Sequence, residues 1–61
     1  MPVITIRMAK GRSEEQKTEI IKEFTESVSR IFGVEPEKII ILIEELDPGN
    51  IGRGGIPLSK Q

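Results

Sequence analysis

Pro2 is the residue of this 61-residue chain with the most chemistry open to it. It follows Met1, and a small penultimate residue is what methionine aminopeptidase tolerates, so Met1 is expected to be removed. Pro2 would then carry a secondary amine, the only one an unmodified protein can present, and a free amine there could act as a general base near neutral pH. The competing reading is a proline that merely starts a strand, where its missing N–H does little harm. The rest of the inventory narrows the choice. There is no cysteine and no histidine, so the common nucleophilic dyads and triads cannot be assembled. A zinc or haem site lacks its usual ligands for the same reason. Catalysis must draw on carboxylates, Lys, Arg, Ser or Thr, or the N-terminal amine.

The elements that would position such a group are legible in the pattern. Residues 2–8 alternate as a strand, with Val3, Thr5 and Arg7 on one face and Ile4, Ile6 and Met8 on the other. Lys10-Gly11 breaks the pattern, and Ser13-Glu14-Glu15-Gln16 matches a capping box at a helix start. Ile20, Ile21, Phe24, Val28, Ile31 and Phe32 then recur at helical spacing as one apolar stripe. Lys17, Glu19, Lys22, Glu23, Glu26 and Arg30 are read as the opposite, solvated face. Gly33 supplies the stop, giving a helix over about 14–32.

Glu35-Pro36-Glu37 reads as a turn, and Ile39-Ile40-Ile41-Leu42-Ile43 as a strand buried on both faces. One helix covers only one face of a two-stranded sheet, so the other face calls for a second subunit. Strand, helix and strand at this spacing make an α/β chain, a short βαβ unit with parallel strands, forming a single domain over 1–61. Asp47-Pro48-Gly49-Asn50 is a turn, with proline presetting one dihedral and Gly or Asn tolerating positive φ. The glycine-rich tail, Ile51 to Leu58, reads as a small hairpin laid across a neighbouring subunit. Its glycine spacing matches neither a P-loop nor a dinucleotide fingerprint.

Composition removes several classes of partner. Nine basic and ten acidic residues leave a net charge of −1, where nucleic-acid binding wants a basic surface. Two phenylalanines with no tryptophan or tyrosine offer no platform for stacking bases. No apolar run approaches the ~20 residues of a membrane helix, and no signal-peptide pattern is present, so no membrane association and a cytoplasmic location are expected. A domain of about 60 residues buries only ~60% of its unfolded surface. With disulfides and metal removed as stabilisers, oligomerisation is what remains.

Pro2 on a strand, the stretch Gly11-Arg12-Ser13-Glu14-Glu15-Gln16-Lys17, Glu45, and Gly52 with Gly54-Gly55 together resemble the 4-oxalocrotonate tautomerase family over nearly the whole chain. The resemblance implies tautomerase-like subunits that oligomerise through sheet and hairpin into a homohexamer, a trimer of dimers. It implies an isomerase in which the mature proline takes a proton from a 2-hydroxydienoate or enolpyruvate-type carboxylate and returns it to carbon, with no cofactor or metal. A model α-amino group has a pKa of about 7.7–8.0, and apolar walls and nearby cations would favour the uncharged amine such a base needs. Arg12 matches the family arginine that binds substrate carboxylate, a task suited to the two parallel hydrogen bonds of a guanidinium fork.

The chain departs from the family at two positions. A second substrate-binding arginine falls at Ile40, and a phenylalanine that walls the proline falls at Ile51. Ile40 cannot donate a hydrogen bond, so another cation must stabilise the charge that develops there. Arg53, in the hairpin, is the preferred replacement and Lys38, just before the second strand, the other; a solvent-exposed role for Arg53 stands beside this. A cation at Arg53 also speaks against dehalogenase or hydratase chemistry, which needs an acidic group to activate water. The replacements at Ile40 and Ile51 motivate an alternative from another class, a catalytically weakened oligomer of this fold kept as a binding or scaffold protein.

Overall fold

The computed structural model describes residues 1–61. The first strand, β1 (Val3–Ala9), pairs in parallel with β2 (Ile40–Leu46), with Val3 opposite Ile40 and Ala9 opposite Leu46. Between them runs one helix, α1 (Glu14–Phe32). Its start is built as the sequence predicts. The Gln16 amide donates to Ser13 Oγ at 3.1 Å, and the Ser13 amide donates back to Gln16 Oε1 at 3.0 Å. These two bonds satisfy donors that a helix start otherwise leaves unpaired. Its end is Gly33 at φ 68°, a left-handed conformation that costs a residue with a Cβ more than glycine.

The tail forms a two-stranded antiparallel hairpin, β3 (Gly52–Arg53) and β4 (Ile56–Pro57). Gly54 and Gly55 make its loop at φ 63° and 84°. Two consecutive positive-φ residues are what a two-residue type I′ hairpin requires. The Gln61 side chain then ties the strands, donating to the Ile56 and Arg53 carbonyls.

Three expectations are corrected. The second strand runs Ile40–Leu46 rather than 39–43, so Glu44 and Glu45 lie within it and Ile39 precedes it. Parallel pairing from Val3 to Ala9 carries the ladder past the apolar run, because backbone bonds do not depend on side-chain polarity. The turn at Asp47-Pro48-Gly49-Asn50 is a 3₁₀ turn over Pro48–Asn50 with no positive φ at Gly49 or Asn50. Proline at its first position suits that geometry as readily as a β-turn. Lys17 is not on the solvated face of α1 but half-buried against the sheet. It shares the face of Ile20, Ile21, Phe24 and Val28 by the ordinary three- and four-residue spacing.

The helix covers one face of the sheet, leaving Ile4, Ile6, Met8, Ile41, Ile43 and Glu45 half-buried; the alternate residues Val3, Thr5, Arg7, Ile40, Leu42, Glu44 and Leu46 are exposed. Only Ile39, at 9% exposure, is buried. The apolar stripe of α1 is also half-used: Ile31 and Phe32 remain 68% and 67% exposed. The accessible surface is 4831 Å², against about 4000 Å² for a compact protein of this mass. The radius of gyration is 14.7 Å, where a compact domain of this length has about 10–11 Å. No helix is long and apolar enough to cross a membrane.

Candidate active site

Parallel pairing decides where each candidate residue stands. Pro2 is half-buried at the entry to β1, and its carbonyl accepts from the Ile40 amide at 3.0 Å. Ile40 is therefore an immediate neighbour of Pro2, and Ile39 and Lys38 lie at the same end of the sheet. Arg12 lies beyond the other end of β1. Seven strand residues at about 3.3 Å apiece put roughly 20 Å between the two. Arg53 and Ile51 belong to the arm that leaves β2 after Leu46, also at the end away from Pro2; Ile51 is half-buried and Arg53 exposed. One chain thus brings Pro2 together with Ile40 and Lys38, and leaves Arg12, Ile51 and Arg53 apart from them. Met1 is exposed; while it precedes Pro2 the Pro2 nitrogen is a tertiary amide without a basic lone pair, and its removal frees a secondary amine.

Arg12 borders a cleft of about 260 Å³ between α1 and the sheet. Ile6, Met8, Ile20 and Ile43 give it an apolar lining, and Arg12, Gln16 and Lys17 supply its polar groups. The three ion pairs of the chain join Arg7 to Glu44, Lys10 to Asp47 and Lys17 to Glu45. Arg12, Lys38 and Arg53 take part in none, so their positive charges are free for a ligand. A guanidinium beside an apolar wall suits a small carboxylate with a hydrocarbon body, since charge-assisted bonds strengthen where water is thin.

Of the polar cleft residues, the reading of the sequence gave Gln16 only its capping-box role and put Lys17 on the solvated face. The signal for Lys17 was its place one turn before Ile20 and Ile21, which puts it on the sheet-facing stripe. Its partner Glu45 occurs in the family resemblance, and the extension of β2 brings it opposite Met8.

The sequence pattern of the Tautomerase enzyme family matches residues 2–61. The chain is 37% identical to the 2-hydroxymuconate tautomerase of Bacillus subtilis over 59 residues, covering 97% of this chain and 95% of that protein. It is 36% identical to a probable tautomerase of Halalkalibacterium halodurans over 61 residues, the full length of both. Among solved structures, one homologue of 4-oxalocrotonate tautomerase superposes with a TM-score of 0.91 at 35% identity, covering 98% of each chain. A heterohexameric 4-oxalocrotonate tautomerase from Chloroflexus aurantiacus superposes at 0.89 with 30% identity, covering 98% of this chain and 97% of that one. The βαβ subunit with its hairpin arm is the fold of those enzymes, and the chain belongs to the tautomerase enzyme family, an isomerase by class.

Proposed function

We propose that the chain catalyses enol–keto tautomerisation of a small carboxylate, with Pro2 as the general base once Met1 is removed. The observation that carries this is Pro2 itself: in a chain of the tautomerase family, it stands at the mouth of β1, its carbonyl bonded to the amide of apolar Ile40. The neutral amine takes the enol O–H proton, the O–H pair forms the new C=O π bond, and the displaced C=C π pair takes that proton back from the ammonium at carbon, regenerating the amine. Arg12 holds the substrate carboxylate through its fork. No cofactor is invoked. The substrates are 2-hydroxydienoates or enolpyruvate-type carboxylates, such as the one named for the Bacillus relative.

Because β1 separates Pro2 from Arg12, the two serve one site only if Arg12 comes from a neighbouring chain. A homohexamer built as a trimer of dimers through sheet and hairpin supplies such neighbours. The scarcity of buried residues supports assembly: the surface in excess of a compact protein is about the share one protomer gives to a standard interface. The second cation, needed where Ile40 replaces an arginine, is Lys38 of the same chain or Arg53 reaching over from another. With an apolar residue there, monocarboxylate enols carrying an apolar body are the favoured class.

Ketonisation of 2-hydroxymuconate and of phenylenolpyruvate, followed by absorbance on protein whose intact mass lacks Met1, tests the reading. Rates above buffer, most of which are lost in Pro2→Ala, are expected. Trimmed, assembled protein no faster than buffer on both substrates sinks it, and leaves the binding or scaffold alternative that Ile40 beside Pro2 favours.

A further inference from the structure

We infer that the Lys17–Glu45 ion pair is a positioning device for Arg12; the inference rests on the reading in which Arg12 binds the substrate carboxylate. Lys17 Nζ lies 3.0 Å from Glu45 Oε1, and the two side chains are only 26% and 28% exposed, whereas both other ion pairs are open to solvent. A sheltered pair is less screened and holds its geometry better than a surface one.

Its place in the chain gives it leverage. Residues 11–16, which include Arg12, are fastened at both ends to one short stretch around the end of β2. At the near end the Lys10 amide donates to the Leu46 carbonyl at 2.9 Å, and the Lys10 ammonium pairs with Asp47. At the far end Lys17 donates to the Glu45 carboxylate and makes the first helical backbone bond, to the Ser13 carbonyl at 3.1 Å. The capping box stiffens what lies between. Freeing Lys17 removes the side-chain tie at the far end and leaves there only the packing of α1 on the sheet.

The pair also sorts the charges. Lys17 and Arg12 line the same cleft, and with Lys17 occupied by Glu45 the guanidinium is its one uncommitted cation. Removing Lys17 leaves the Glu45 carboxylate without its partner and the Arg12 segment without its side-chain tie to β2. Removing the carboxylate instead leaves an ammonium that competes for the substrate's carboxylate. The first fault is the graver, because it disables the anchor rather than adding a rival.

The test is steady-state kinetics on trimmed, assembled protein with phenylenolpyruvate as the probe, for Lys17→Met, Glu45→Gln, the swap Lys17→Glu/Glu45→Lys, and each single change in an Arg12→Ala background. Lys17→Met should raise KM about five- to tenfold with kcat nearly unchanged. Glu45→Gln should raise it less, and the swap should recover part of the loss. In Arg12→Ala neither change should alter KM further. An equal effect with and without Arg12 means a merely structural role and overturns the inference. If Arg12→Ala raises KM but Lys17→Met does not, the inference fails while the role of Arg12 stands; if Arg12→Ala leaves KM unchanged, the role of Arg12 fails and the inference with it. Should Lys17→Met not assemble, Glu45→Asp, which shortens the carboxylate by one methylene, carries the test through a smaller KM rise that also vanishes without Arg12.

Discussion

The Pro2 nitrogen changes kind when one residue is cut away. As an amide it has no proton affinity to use near neutral pH; as an N-terminal secondary amine it has. Protein prepared with Met1 retained is therefore expected to be folded and inactive, and intact mass read beside ketonisation rate checks this: activity should scale with the trimmed fraction. In the proposed reading Arg12 acts at the same scale but on binding. If it anchors ground and transition states alike, Arg12→Ala raises KM with kcat held; if its hydrogen bonds tighten as charge develops, kcat falls as well. Lys38→Ala and Arg53→Ala decide which cation stands in for the arginine absent at Ile40. The one that serves should lower kcat, since stabilising developing charge is a transition-state task, and the other should leave it alone.

The elements hold these residues through a few local devices, each open to a stability measurement. Ser13 closes the capping box on Gln16, so Ser13→Ala should cost about 1 kcal/mol, read as a lower urea midpoint at fixed protein concentration. Gly54 and Gly55 both sit at positive φ, and alanine at either should cost about 1–2 kcal/mol through backbone strain alone. These devices were also the legible part of the sequence. Helix start and stop, the parallel βαβ order and the Gly-Gly hairpin are local or nearest-neighbour events, written in residues a few positions apart. The strand limits were less so: β2 continues through Glu44 and Glu45 because its bonds are set by β1, not by its own side chains. Lys17 was missed because charge was read before spacing. The separation of Pro2 from Arg12 was present in the sequence as seven intervening strand residues, and became visible only when the strand was laid out at full length.

At the scale of the molecule, the chain is 43 by 23 by 13 Å, one helix on one sheet with an arm. Its thinnest dimension is little more than the distance between two packed layers, so most of its apolar surface has nothing of its own chain to lie against. If neighbours complete it, unfolding is coupled to dissociation. The melting temperature should then fall measurably on tenfold dilution, as a thermal series across protein concentrations would register. Leu42, exposed at the centre of the open sheet face, is the point at which to break the assembly. Leu42→Lys should convert the large species to monomer or unfolded chain by light scattering. The length of β1 reaches into genetics as well. A chain whose base and whose carboxylate anchor serve different sites exports part of every defect it carries. A copy lacking Arg12, produced beside an intact one, would disable a neighbour's Pro2 while its own Pro2 worked with a borrowed arginine. Mixing Pro2→Ala protein, nearly dead alone, with Arg12→Ala protein, weakened alone, should therefore regenerate a fraction of fully equipped sites.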